Sequence, residues 1–396
     1  MGSTEHNIAR SGPILILGGY GAFGSRIAKR LARAKDLHII LAGRNETAAT
    51  DLAHHLSATG SRTRAIALDA TTLDANQIRE TGARVLVNAA GPYEAGDYRV
   101  ARAAIEAGCH AIDLADNRAY VRGFTALDGL ASDHGVLSVA GASSVPGLSS
   151  AVALHLAVDF DAVREIDIGI TPGNRFDPGL STVASILSYV GRPFPMLIGG
   201  EWRQVHGWQG NERVPLAGLG SRPFGYCNVP DLDLMPARFA ELATARFRAG
   251  LEVAPFHWGL WAASWLVRAG LVRRPERLAR PLLALKRRLS FLGSDAGGMF
   301  VRLEGIGRDG KERSRCWTLV ANSNHGPYGP TLAATILARR LARAEPPRIG
   351  ALPCFGLVSY HEFAAEVCDL DITLGIDTLG IDGAGPRRDH LSASGQ

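Results

Sequence analysis

The residues with a chemical use begin with glycines. The stretch "ILILGGYGAFG" (14–24) ends an apolar run and places Gly19, Gly21 and Gly24 in a Gly-x-Gly-x-x-Gly spacing, directly ahead of the helical pattern "SRIAKRLARA". Backbone without side chains at a strand-to-helix turn lets N–H groups approach a pyrophosphate, and the helix N-terminus adds a positive dipole end. The spacing predicts a dinucleotide site. Gly19 allows the turn, Gly21 admits the phosphates with Ala22 and Phe23 beside it, and Gly24 lets helix and strand pack closely.

The next strand selects the cofactor. "LHIILAGRN" (37–45) carries no acid at its end to bond a ribose 2′-OH, and Arg44 stands there instead. A planar guanidinium suits a 2′-phosphate, so NADP, as NADPH, is expected over NAD. Asp69 in "ALDATT" either accepts from the adenine amino group or caps the following helix. Ala90 and Gly91 in "NAAGPY" bring small residues to the carboxyl edge of the sheet, where ligands of open α/β sheets bind.

Hydride transfer also needs a group that protonates or polarises the acceptor heteroatom. Tyr93 and Asp116 follow strands at their carboxyl ends and are the first candidates, with His325 in the turn-rich "ANSNHGPYGP" as a third. Asp113, inside "AIDL", reads better as a brace for the sheet edge. No Ser-His-Asp ordering, HExxH helix or carboxylate cluster is visible, so no metal site is expected and hydrolase chemistry is disfavoured.

The elements that must position these groups are legible as short apolar runs near 14–17, 37–42, 64–68, 85–88, 111–114 and 136–140, alternating with helical patterns. That alternation predicts an α/β fold, a Rossmann-type doubly wound parallel sheet over residues 1–145. In "REIDIGI" (164–170) apolar and polar residues alternate, as in a sheet with one wet face, and Asp309-Gly310 separates two strand patterns like a hairpin. A second, α+β substrate domain is therefore expected over 146–328, with a helical insertion near 240–290. A segment at 329–375 is expected to pack back on the first domain, and 376–396 to form a flexible tail.

"GGYGAFG", "LAGRN", "VLVNAAGPYEAGDYRVARAAIEAGCHAIDLADN" and "ASDHGVLSVAGASSVPGLSSAVA" resemble, in that order, the saccharopine dehydrogenase-like oxidoreductases. The likeness covers residues 14–155 and returns in "GPYGPTLAATILARRLA" and "IGALPCFGLVSYHEF". It implies an NADP-dependent enzyme that moves hydride to or from a carbon–nitrogen or carbonyl substrate. The acidic strand end of that family is represented here by Ala115-Asp116-Asn117, and its next turn by Ser143-Ser144, so the substrate is left open. A non-catalytic NADP sensor or scaffold is one alternative, and an enoyl-type reductase of a lipid-like substrate is another.

The formal charge of +5 over 396 residues does not suggest a nucleic-acid partner. Five cysteines without metal-ligand spacing, behind a polar N-terminus that does not read as a signal peptide, fit a cytoplasmic protein. A small-molecule substrate and a homodimer are expected. The middle is unusual: "APFHWGLWAASWLVRAGLV" (254–272) holds three tryptophans, and Arg268–Arg288 carries eight basic residues against one acid. Residues 254–288 read either as an interface or lid, or as a peripheral membrane contact that would make the protein membrane-associated.

Overall fold

The computed structural model describes residues 12–94, 96–216, 218–343, 346, 348–379 and 387–388, so most of the tail expected from 376 lies outside the described residues. The chain divides into two compact units: residues up to Ala115, Ala119–Ser143 and Pro330–Cys354 form the first, and Asp116–Arg118, Ser144–Gly329 and the chain from Phe355 form the second.

Strands and helices alternate at first: β1 (Ile14–Leu17), α1 (Gly24–Leu31), β2 (His38–Gly43), α2 (Glu46–Ala58), β3 (Arg62–Ala67), α3 (Ala75–Thr81), β4 (Val85–Asn88), α4 (Arg99–Glu106), β5 (His110–Asp113), α5 (Arg118–Gly123), α6 (Asp128–Asp133) and β6 (Leu137–Ala140). The next elements are α7 (Ser149–Ala157), β7 (Phe160–Thr171), α8 (Gly179–Tyr189), β8 (Pro193–Ile198), β9 (Glu201–His206), β10 (Glu212–Leu216), β11 (Gly220–Tyr226), α9 (Asp231–Arg238) and β12 (Thr244–Gly250). Then come α10 (Ala254–Arg268), α11 (Ala279–Arg288), β13 (Gly297–Gly307) and β14 (Glu312–Ala321). The chain returns to the first unit with α12 (Gly329–Arg343) and β15 (Gly350–Pro353), and ends in the second with α13 (Tyr360–Val367), β16 (Ile372–Leu379) and the two-residue β17 (Arg387–Arg388).

The first unit is a seven-stranded sheet in the order β15-β6-β5-β4-β1-β2-β3, parallel throughout. It is the Rossmann-type doubly wound sheet. Its central strands β1 and β4 are buried along their whole length, as continuous apolar runs require when helices cover both faces. Helix starts are set by local chemistry. Asn45 Oδ1 accepts from Ala48 N–H at 3.0 Å to cap α2, and Asp74 with Gln77 forms a reciprocal capping box on α3. Arg84 Nε donates to Leu341 O at 2.8 Å and Arg343 grips both Asp36 oxygens, which docks α12 onto the same unit.

The second unit carries a mixed sheet, β10-β11-β12-β7-β13-β14-β16-β17, in which only β12 and β7 run parallel, plus a β8–β9 ribbon. The hairpin expected at Asp309-Gly310 joins β13 to β14, with Gly310 at φ 74°. The face expected to be wet is largely covered. Asp167, 8% exposed, lies 3.2 Å from the Arg248 guanidinium, which also donates to Glu212 at 2.5 Å. Alternation marks a polar face correctly, but long arginines from the neighbouring strand roof it over.

One buried acid in this unit makes stability depend on pH. Asp231, 1% exposed, accepts from Ser149 Oγ through Oδ1, and its Oδ2 has no partner among the described residues. Burial pushes its pKa up to about 7 from 3.8. The folded carboxyl keeps its proton over a range in which the unfolded one has released it. Stability is therefore full below pH 3.8 and falls as pH rises towards about 7. Between pH 5 and pH 8 this one group should cost about 2–3 kcal/mol. Urea midpoints at the two pH values should show the Asp231→Asn variant losing less than the wild-type protein by that amount, and an equal loss would clear Asp231 of the effect.

Candidate nucleotide site and acid cluster

Helix α1 opens without a side-chain cap, unlike α2 and α3. Among the described residues, nothing accepts from the amides of Ala22, Phe23 or Gly24; the neighbouring Gly21 and Ser25 amides bond Gly18 O and Gly21 O. Ala22 is exposed and Gly21 half-buried. Three successive free N–H groups at the start of an eight-residue helix form an anion-binding end.

The glycines around it have distinct reasons. The left-handed residue is Gly18, at φ 75°, one position before the counted motif; the Gly18-Gly19 doublet was its signal. Amides of Gly18 and Gly19 both donate to Ala42 O, at 2.8 and 3.1 Å, which ties the turn to the end of β2. A Cβ on Gly24 would stand 2.2 Å from Gly18 O, so this position must be glycine for α1 to reach the strand. Around Gly21 only Gly18 O comes close, at 3.1 Å, leaving the outer side open.

Tyr20 explains the missing acid of β2. A Cβ on Gly43 would lie 2.4 Å from the Tyr20 ring, and the Tyr20 hydroxyl accepts from Asn45 N–H at 2.9 Å. The ring occupies the place where an acidic side chain at the strand end would rise. Arg44, next along, is exposed and makes no ion pair among the described residues. Asp69 does not cap α3, whose cap is Asp74. It accepts from the Thr71 amide and hydroxyl, both at 2.9 Å, and these bonds, with a smaller effect of the Arg44 charge, lower its pKa.

After β4, Asn88 Oδ1 accepts from Ala90 N–H at 3.1 Å, Asn88 O accepts from the Tyr93 hydroxyl at 2.8 Å, and Gly91 is exposed. Tyr93 thus spends its proton in shaping this loop. Asp113 is a brace. Its carboxylate accepts from Ala115 N–H, Gly141 N–H and the Tyr120 hydroxyl at 2.8–2.9 Å, and burial raises its pKa to about 6.

Asp116 belongs to the second unit, three residues along the chain from the end of β5. Its neighbour Arg118 anchors the segment: the buried guanidinium donates to Pro195 O at 2.7 Å and Asn228 Oδ1 at 3.1 Å, and pairs with Asp233. The Asp116 side chain meets solvent, yet protein crowds its carboxyl closely enough for desolvation to raise its pKa. Two groups far away in sequence lie near enough to feel its charge. The Tyr189 hydroxyl is buried without a hydrogen bond of good geometry among the described residues, and its pKa is raised by desolvation and then by the Asp116 charge. The Cys227 thiol is pushed up to about 12 by the same two causes, so it is no nucleophile at neutral pH. No spacing in the sequence links 116, 189 and 227.

His325 makes its contacts elsewhere in this unit. Its Nδ1 accepts from Asp371 N–H at 2.7 Å, which places the proton on Nε2, and its ring meets Tyr328 edge-on at 5.7 Å. The ring pins the loop after β14 and is not joined to the Asp116 cluster.

Residues 14–139 match the family described as the saccharopine dehydrogenase NADP binding domain. No curated protein matches the sequence significantly. Among solved structures, apo saccharopine dehydrogenase (L-Glu forming) from Saccharomyces cerevisiae aligns with 93% of this chain and 100% of its own, at 14% identity and TM-score 0.67. At that identity the likeness shows the fold. GenD2 from gentamicin A biosynthesis, in complex with NAD, aligns at 15% identity over 79% of this chain and 74% of its own, with TM-score 0.37. UDP-N-acetylglucosamine 3-dehydrogenase GnnA from Acidithiobacillus ferrooxidans aligns at 13% over 84% and 94%, with TM-score 0.38.

Proposed function

We propose that this chain, whose residues 14–139 belong to the saccharopine dehydrogenase NADP-binding domain family, is an oxidoreductase that uses NADPH to reduce a carbon–nitrogen or carbonyl double bond. The observation that carries the proposal is the row of free amides at Ala22, Phe23 and Gly24 beside open backbone at Gly21. That row fits a pyrophosphate. Arg44 fits a 2′-phosphate, and Tyr20 over Gly43 removes the acid that would favour a free 2′-hydroxyl. Ala90 and Gly91 leave the loop after β4 low enough to admit a ribose.

The bound dinucleotide would supply a hydride, that is, two electrons and a proton's mass, to the electrophilic carbon of the substrate. The remaining proton comes from this chain. Asp116 is the donor. Its raised pKa keeps a share of the carboxyl protonated above the ordinary carboxylate range, and Arg118 fixes the backbone that carries it. The balance is one hydride to carbon and one proton to nitrogen or oxygen, leaving the oxidised dinucleotide and a carboxylate that water reprotonates. The thiols of Cys109, Cys227, Cys354 and Cys368 form no disulfide among the described residues, in keeping with a reducing cytoplasm supplied with NADPH.

Binding measured by NADPH fluorescence or calorimetry tests the cofactor. Arg44→Ala should weaken NADPH about 10- to 100-fold, the worth of one charge-assisted phosphate contact, while NADH changes by less than about twofold. Equal losses for both would mean that Arg44 does not read the third phosphate. Screening imines, keto acids with amines, and ketones for NADPH oxidation then separates an enzyme from a sensor. NADPH binding without turnover on any of them would favour the sensor.

A further inference from the structure

Helix α10 packs a mixed face inward, with Val267 buried and Leu260 and Ala263 against the core, and turns its largest apolar side chains outward. Its polar residues His257 and Ser264 are fully buried: His257 Nε2 meets Asn211 Oδ1 at 2.6 Å, and Ser264 Oγ donates to Trp261 O at 2.6 Å while receiving Gln209 Nε2 at 3.3 Å. Trp258, Trp261 and Trp265, spaced by three and four residues, point outward with 40%, 38% and 47% of their surface exposed. A surface helix normally turns its largest apolar side chains towards the core.

The exposure continues beyond this helix. Ten of the fourteen large apolar side chains exposed among the described residues lie between Trp258 and Leu292, including Leu271 at 74% and Phe291 at 68%. On α11 Leu282 and Leu285 are exposed while Leu283 faces inward. Such a concentration exceeds the scattered apolar exposure that a monomer's surface carries.

The charges around it are one-sided. From Arg268 to Arg288 the net charge is +7. Arg268 stacks on Trp265 at 5.1 Å, Arg287 pairs with Asp177 at 2.8 Å, and Lys286 is held by Phe176 O. Arg273, Arg274, Arg277, Arg280 and Arg288 are exposed and have no ion-pair partner among the described residues.

We propose that α10 and α11 form a docking surface for an anionic lipid bilayer, with the tryptophan stripe in the interfacial layer and the unpaired arginines over the head groups. Tryptophan suits that layer, since its ring is apolar and its N–H is polar. Each arginine near an anionic surface adds to the attraction. A second copy of this chain is the poorer occupant, because a twofold contact through the patch would set two clusters of like charge against each other. The helix lies on the membrane and does not cross it: at 15 residues it is about 22 Å long, and no described helix is long and apolar enough to span. This proposal is independent of the redox reading.

Flotation of the full chain with vesicles tests it. Vesicles of phosphatidylcholine with about one-third phosphatidylglycerol should carry the protein at low salt, at least about tenfold better than pure phosphatidylcholine, and about 0.5 M salt should weaken binding. The emission of the outward tryptophans should shift to the blue on binding. A Trp258→Ser/Trp261→Ser/Trp265→Ser variant should lose at least about tenfold in partitioning while still melting cooperatively, because the inward face with His257, Ser264 and Val267 is kept. An Arg273→Ser/Arg274→Ser/Arg277→Ser variant should lose the preference for the anionic lipid. No flotation of the wild-type protein at low salt, or flotation indifferent to both variants, would overturn the proposal. A stable dimer that the tryptophan variant dissolves and that does not float would assign the patch to a second copy.

Discussion

Gly24→Ala is expected to weaken NADPH at least about tenfold and to destabilise the fold by about 1–3 kcal/mol, the range found when a packed site is overfilled. The added Cβ would lie 2.2 Å from Gly18 O and 2.9 Å from both Gly18 C and Gly19 Cα, and all three are backbone atoms. They have nowhere to go. Gly18 and Gly19 are tied to Ala42 O, and the other side of Gly18 faces Ala89 backbone, 3.1 Å from where a Cβ would be. So α1 must move off the strand, carrying the amides of Ala22, Phe23 and Gly24 with it. Gly21→Ala is the informative contrast. Its Cβ would meet only Gly18 O, at 3.1 Å, so the melting temperature should hold while NADPH affinity falls. Thermal melts with and without NADPH separate the two effects. A Gly24→Ala protein with wild-type affinity would remove the amide row from the site.

Asp116→Asn should lower kcat by a factor of about 10² to 10⁴, the usual contribution of a positioned acid, and leave NADPH affinity within about twofold. The fold should tolerate the change, because among the described residues no bond from the Asp116 side chain braces an element, as those of Asp113 do. The pH profile carries the sign. If the protonated carboxyl delivers the proton, wild-type reduction falls as pH rises through the elevated pKa, whereas the Asn variant is slow and flat. Turnover kept within about threefold would move the donor role elsewhere, first to Tyr189, whose buried hydroxyl stands in the same cluster.

The first unit was readable because its strands are local statements. "ILIL", "VLVN" and their counterparts are continuous apolar runs, whereas the cap of α3 lies at Asp74, five residues beyond Asp69. β15 was not readable. Its four residues, "GALP", contain both glycine and proline, and they form a strand only because β6 offers an edge more than 200 residues earlier. The β8–β9 ribbon and edge strand β10 hid in the same way, since Pro193, Pro195 and Pro215 argue against strands until one sees that they lie where a missing N–H is tolerated.

The site divides likewise. A glycine spacing announces the turn, and Arg44 is visible as the residue after a strand without an acid. That Tyr20 seals Gly43, or that Tyr189 and Cys227 feel the Asp116 charge, depends on packing between distant segments, which no short window contains. The three tryptophans of 254–268 are visible in the sequence, but not the direction they face; the inward contacts of His257 with Asn211 and of Ser264 with Gln209 decide that.

The place of β15 in the sheet has a consequence for biosynthesis. A ribosome making this chain delivers six strands of the nucleotide-binding sheet by residue 140, but β6 keeps a bare edge until Gly350–Pro353 emerges. Throughout synthesis of the intervening segment, that edge must be shielded by something other than its final neighbour.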